Sequence, residues 1–473
     1  MPKKFHTTLF TIIFFFLALL FWIIIFPQTI NAQTSIPNIE WQRSFGGSRY
    51  DDTTAIQRTS DGNYIMVGLS QSKDGDLTSN QGMDDLWVVK FNQSGKILWQ
   101  KSTGGFKVEY PKSVIETSDR GFLLAGTKHA YGSFGPGFNL DYWIIRLDIK
   151  GNILWEKTFG GTRIDSASAA RETYDGGFIV VGDSWSSDGD VKVNYGRNDI
   201  WVIKLDQLGN LQWEKSLGGS NDDFPNSIII TPDQGYLISG TSESNDGDVK
   251  GNLGGRGAWL IKLSEQGNIQ WAKTYGGTRG DYSNDMQPTS DGGYIFVGHS
   301  YSSDGDVTKN QGDSDVWIVK LDSQGKITWQ KTYGGNDSDL AYSVQETMNG
   351  GYIVAGKSKS KDGDVTGNHG NYDYWLVRVD SQGNLEWQKS FGGSEFDEVK
   401  TILMAFDGGF IVIGSSNSKN GDVKGNHGEE DIWVIKLRPQ ANEKFQWRAN
   451  EKFPGPSPDR EFKSQEREKV SGQ

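Results

Sequence analysis

Residues Trp329 to Trp387 read WQKTYGGNDSDLAYSVQETMNGGYIVAGKSKSKDGDVTGNHGNYDYWLVRVDSQGNLEW, and the chain repeats this pattern seven times. The tryptophan recurs at Trp41, Trp99, Trp155, Trp213, Trp271, Trp329 and Trp387; every interval is 58 residues except one of 56, between Trp99 and Trp155. A fixed period of this kind marks a repeat architecture. Within the unit, four short apolar runs alternate with turn residues: Ala341 to Thr347, Tyr352 to Gly356, Tyr374 to Val379 and Leu385 to Phe391. Asn349-Gly350 and the Asp-Gly pairs at the same place elsewhere tolerate the positive φ of a tight hairpin turn. No segment carries the three-and-four spacing of an amphipathic helix.

Four antiparallel strands per unit, rich in β-branched and aromatic residues, predict a propeller blade. The third run is apolar on both faces, as a strand covered by neighbours on each side would be. Mixed polar residues around Trp387 predict an outer edge strand. A second tryptophan series, Trp87, Trp143, Trp201, Trp259, Trp317, Trp375 and Trp433, matches the first in number. The chain enters on a lone fourth run, Ile39 to Phe45, and leaves on a third run, Ile432 to Leu437. The first strand must therefore complete the last blade. The fold class is all-β, a seven-bladed propeller over residues 33–438, its ring closed by the N-terminal strand.

Outside the array, residues 1–32 read as a secretory signal peptide. Lys3 and Lys4 precede an apolar run from Leu9 to Phe26, and a small-residue site ends at Ala32. The run is also long enough for an uncleaved anchor. Either way the propeller is exported: secreted, periplasmic or at the cell surface. Residues 439–473, rich in Glu, Lys, Arg, Pro and Gln, read as a disordered charged tail. The chain has no cysteine, which excludes disulfides and thiolate metal sites. Its net charge of −12 excludes nucleic acid as a partner and leaves the membrane reachable only through the N-terminal segment. A monomer is expected.

Three acidic positions recur. An acid stands ten residues after each fourth-run tryptophan: Asp51, Glu109, Asp165, Asp223, Asp281, Asp339 and Asp397. Another stands two residues before each third-run tryptophan, as at Asp315 and Asp373, except that Gly257 takes the place in the fourth unit. The long second-to-third loop carries Asp74 and Asp76, Asp188 and Asp190, Asp246 and Asp248, Asp304 and Asp306, Asp362 and Asp364, and Asn420 with Asp422. Alternation of strand direction places all three sets on one rim, with Asp362, Asp364, Asp373 and Asp397 expected together. Oxygen at this density suits a hard cation such as Ca²⁺. The same residues suit loop capping, in which Asp and Asn accept from turn amides. Both readings stand, with the loop-bound pairs as the candidate calcium ligands.

The fourteen repeated tryptophans read as core. Trp185, Tyr131, Phe134, Phe138, Tyr195 and Tyr301 fall outside the repeat positions and are the candidate ligand surface. No catalytic arrangement is legible: His129, His299, His369 and His427 lack metal-pair spacing, and no nucleophile motif occurs. Gln57, Arg171, Ile229, Gln287, Gln345 and Leu403 share one register on the inner strands and are no convergent set of acids and bases.

The phrases SDGGYIFVG (290–298) and DVWIVKLDSQGKITWQKTYGG (315–335), with NGDVKGNHG (420–428), resemble secreted bacterial β-propeller repeat proteins with repeats of about sixty residues. The resemblance covers residues 39–437 and implies fold and export, since the function of those proteins is mostly unassigned. A fainter likeness, through Asp322, Gly325 and Trp329, is to the tryptophan-docked propellers of quinoprotein dehydrogenases, and it implies blade packing only. The expectation is an exported, non-catalytic binding or scaffold module for an extracellular protein or polysaccharide. The alternative is an exported enzyme, a polysaccharide hydrolase or lyase or a quinone-dependent dehydrogenase, with its site on the acidic face.

Overall fold

A computed structural model describes residues 36–439, apart from 79, 81–83, 105–108 and 130–138. Residues 1–35, which include the expected signal peptide, and residues 440–473 of the tail lie outside the described residues. No helix among the described residues is long and apolar enough to cross a membrane.

The described residues form seven four-stranded antiparallel sheets. The sixth is the quoted repeat: Asp339–Glu346, Tyr352–Ser358, Asp373–Val379 and Leu385–Phe391, hydrogen-bonded in that order. Its first and third strands begin earlier than the apolar runs do, because Asp339 and Asp373 are themselves strand residues. In the seventh sheet, Asp397–Met404, Phe410–Ser416 and Asp431–Leu437 are followed in space by Ile39–Phe45. The clasp pairs Phe45 with Ile432 and Ile39 with Leu437. First strands of successive blades pack against one another, the seventh against the first, so the ring is closed.

Strand three of each blade shows why both of its faces are apolar: Asp373–Val379 is buried at every residue. Its tryptophans are the largest side chains in the core; Trp201, Trp259, Trp317 and Trp433 are all 0% exposed. In six blades the indole N–H finds an acceptor on the neighbouring fourth strand, as Trp317 Nε1 donates to Gln330 Oε1 at 3.1 Å, whereas the buried Trp259 Nε1 of the fourth blade has no partner among the described residues. The fourth-strand tryptophans, expected as core, are half-buried in six blades, and Trp387 alone is buried. They pack between blades. Trp271 lies against Gly325 in the next blade's outer turn, where φ is +71° and an added Cβ would stand 2.8 Å from Trp271 Cη2. The glycine that the resemblance groups with Trp329 is therefore docked by the preceding blade's tryptophan.

In six blades, a β-bulge interrupts the first strand at its fourth residue. Ala341 pairs with Gly356 and Ser343 with Ala355, leaving Tyr342 unpaired in the ladder. A bulge bends its strand and re-aims a side chain. In the last two blades it turns the bulged residue toward the next blade's innermost strand: Tyr342 reaches Glu398, and Lys400 stands 3.8 Å from Asp52.

Candidate functional site

Strand direction brings the acidic sets together at the blade junctions. Asp339 opens the first strand of the sixth blade and is completely buried. One carboxylate oxygen accepts from Ser358; the other accepts from Ser360 Oγ and Gly335 N, each at 2.8 Å. The same Asp–Ser–Ser clamp recurs at Asp51, Asp165, Asp281 and Asp397. The loop pair holds the Gly-Gly linker. Asp362 Oδ1 accepts from Asn336 N at 2.8 Å, and Asp364 Oδ2 accepts from Gly334 N at 3.2 Å. Asp188 and Asp190, Asp246 and Asp248, and Asp304 and Asp306 do the same in their blades. Asp422 holds Gly392, while Asp74 caps Ser48 N and Asp76 pairs with Arg43 at 2.5 Å.

The third-strand acid comes from the preceding blade. Asp315 therefore shares a junction with Asp339 and Asp364, whereas Asp373 shares one with Asp397 and Asp422. The four acids expected together are divided between two junctions. The reason is that each long loop folds back over the linker entering its own blade, not the one leaving it. Among the described residues, no group of three or more His, Cys, Asp or Glu side chains is arranged to hold a metal ion.

These carboxyls are crowded and dry. Burial is the main cause that pushes Asp199 and Asp315 up to about 7, with the neighbouring acids adding to it. Burial likewise raises Asp141 and Asp397 to about 6. In the second blade, where the clamp serines are absent, buried Glu109 is pushed up to about 7, chiefly by burial, and its Oε2 has no hydrogen-bond partner among the described residues. His369 and His427 each contact the third-strand acid four residues on, at 2.7 Å. They belong to the blade junctions.

Of the candidate ligand surface, Trp185 is 42% and Tyr195 54% exposed, and Tyr301 is half-buried. Tyr131, Phe134 and Phe138 lie outside the described residues. Tyr301 has company that sequence reasoning missed. Tyr282, in the segment that leads into the fifth blade's first strand, donates its N–H to the carbonyl of His299 on the second strand at 2.9 Å; the two rings stack at 4.3 Å, and both lie edge-on to Tyr301. In the sixth blade and at the entry to the seventh, Tyr342, Tyr372 and Phe396 surround Lys357, whose Nζ stands 4.9–5.5 Å from the three ring centres. Lys357 also pairs with Glu398, and Arg256 caps Tyr282 at 5.8 Å while pairing with Glu243.

The signal was legible as departure from the repeat. Where Tyr282 stands, the other units have Asp52, Tyr110, Ser166, Phe224, Leu340 and Glu398; where Tyr372 stands, they have Asp84, Leu140, Asn198, Arg256, Ser314 and Glu430. The bulged position is as varied: Thr54, Lys112, Ser168, Asn226, Tyr342 and Lys400.

No family model matches the chain. The regulatory protein FlaEY of Caulobacter vibrioides is 26% identical over 232 residues, 44% of this chain and 24% of that protein, so the chain spans about a quarter of this relative's length. Among solved structures, the Pan2 WD40 domain of Neurospora crassa superposes with a TM-score of 0.46 at 11% identity, over 82% of this chain and 91% of that one. A puromycin hydrolase gives 0.47 at 11% identity, over 81% and 53%. YCF48 bound to a D1 peptide gives 0.42 at 9% identity, over 85% and 100%. The propeller assignment stands on the strand pairing itself.

Proposed function

We propose that this protein is an exported binding or scaffold module that presents its acidic face to an extracellular protein or polysaccharide, without catalysis. One observation carries the reading. The residues that recur from blade to blade, such as Asp339 and its serines, are consumed in holding the fold, whereas Tyr282, Tyr342 and Tyr372 stand at inner-strand and loop positions of the acidic face whose residues change from blade to blade. A ring that needed only to be stable would have no use for that variation. The chemistry within reach supports binding over turnover. Burial, with Lys357 as a lesser cause, holds His299 down to about 4, so it is neutral at neutral pH, and it is boxed between Tyr282 and Tyr301. Lys400 and Glu398 neutralise one another at 2.5 Å.

Binding and turnover separate in one experiment. The purified protein is titrated calorimetrically against a panel of soluble polysaccharides and exported proteins, and the same mixtures are assayed for new reducing ends or unsaturated products. Saturable heat without product supports the module. Product released at a rate above the enzyme-free control would establish the hydrolase or lyase instead.

A further inference from the structure

We infer that the aromatic crescent across the fifth and sixth blades and the entry to the seventh is the ligand site, and that it takes a neutral oligosaccharide. The inference rests on the binding reading above and names its ligand class. The crescent consists of Tyr282, His299, Tyr301, Tyr342, Tyr372 and Phe396. All but His299 are half-buried, so each ring is fixed by its neighbours yet still offers surface to solvent. The blade fold does not require rings here. Of the six residues that stand where Tyr301 does, four are Gln71, Glu243, Lys359 and Asn417 and two are His129 and Trp185; of the six that stand where Phe396 does, Tyr50 is the one aromatic. Five of the rings meet ring to ring, in two groups, at centroid distances of 4.3–6.3 Å. Tyr342 joins the second group through Lys357, so the six rings stand as two groups of three on adjoining blades.

Charge selects the ligand. Arg256 and Lys357 already lie over the rings, so an incoming cation meets two like charges. An incoming anion meets Glu243 and Glu398 and then the acid-lined junctions. What the surface leaves welcome is an uncharged molecule with one flat apolar face and hydroxyl edges. A pyranose is that shape: its C–H face stacks on tyrosine, and its hydroxyls reach the paired Arg256, Glu243, Lys357 and Glu398.

The test uses substitutions that other blades already tolerate, Tyr301→Gln and Tyr372→Asn, with Tyr174→Ala on the opposite rim as control. Full-length protein is titrated with cellohexaose, mannohexaose and xylohexaose, with oligogalacturonate and chitosan hexamer as charged glycans, and with a proline-rich decapeptide. The expected result is saturable binding of at least one neutral hexasaccharide. Each crescent variant should weaken it about five- to tenfold, the worth of one stacked ring, with an unchanged melting temperature. Tyr174→Ala should leave it unaltered. Binding only of a charged glycan or of the peptide would overturn the ligand class. Sugar binding indifferent to both crescent variants would overturn the location while leaving the binding function in place. No binding by any probe would overturn this inference.

Discussion

The repeat of Lys or Arg three residues after each third-strand tryptophan is explained by its partner. Lys320 is buried, and its ammonium pairs at 2.7 Å with Asp291 of the hairpin turn; Lys90–Asp61, Lys204–Asp175, Lys262–Asp233 and Lys436–Asp407 repeat the arrangement. Against the raising effect of burial, Lys320 and the Thr289 hydroxyl hold Asp291 down to about 2. The sixth blade breaks the rule in a compensated way: the turn acid becomes Asn349, and the cation becomes Arg378, which also reaches Thr347 and Glu386. Asp291→Asn alone should therefore cost roughly 1–3 kcal/mol in urea unfolding, because it strips the counter-charge from a buried ammonium. Adding Lys320→Arg and Thr328→Glu, the sixth blade's solution, should restore most of the loss; a triple variant no better than the single would show that the compensation is absent. A second contrast concerns ring burial. Trp317→Ala should cost roughly 3–5 kcal/mol, the range for emptying a buried aromatic site. Trp185→Ala, at 42% exposure, should lower the midpoint far less, and equal losses would mean that Trp185 is packed.

Among the elements, the clasp strand Ile39–Phe45 has a disproportionate role. It joins the two ends of the array across a separation of almost the whole chain, with Trp433 Nε1 donating to Gln42 Oε1 at 3.0 Å and Lys436 pairing with Glu40 at 3.2 Å. Without it, the strand Asp431–Leu437 becomes an open edge whose every residue is otherwise buried. Exposed apolar edges pair with other chains. Removing residues 36–46 should therefore give soluble aggregates by size-exclusion chromatography with light scattering and abolish the cooperative melt. A monomeric product with the parent melting temperature would refute closure by this strand.

At the scale of the molecule, the junction acids predict an unusual pH profile. A carboxyl whose folded pKa is raised binds its proton more tightly when folded, so the stability it contributes is present at low pH and is lost as pH rises through the folded value. Asp199, Asp315 and Glu109, at about 7, and Asp141 and Asp397, at about 6, all act in this sense. His299, held down to about 4, acts in the opposite sense, as one group against five. The lowered turn acids contribute stability that disappears only as pH falls below about 4, toward the Asp291 value of about 2. The melting temperature, measured in chelator at constant ionic strength, should peak near pH 4–5 and decline toward pH 7. A melting temperature that climbs steadily from pH 5 to pH 7 would contradict the buried-carboxyl assignment.

Blade number, strand order within a blade and closure by Ile39–Phe45 were all determined by the sequence. They follow from local periodicity and counting: a turn at Asn349-Gly350 needs no distant partner to be recognised, and an unpaired first strand has only one vacancy to fill. What each repeated acid touches was settled by tertiary structure. Asp364 and Asp373 are nine residues apart, yet they serve different junctions, because the loop between them folds back on Gly334. The half-burial of Trp329 and its seat on the next blade also depend on how adjacent sheets pack, which no single repeat encodes. The aromatic crescent lies between these cases. Its residues were visible as exceptions to the repeat, but Tyr282 and Phe396 are 114 positions apart, and only the closed ring places their blades around one axis.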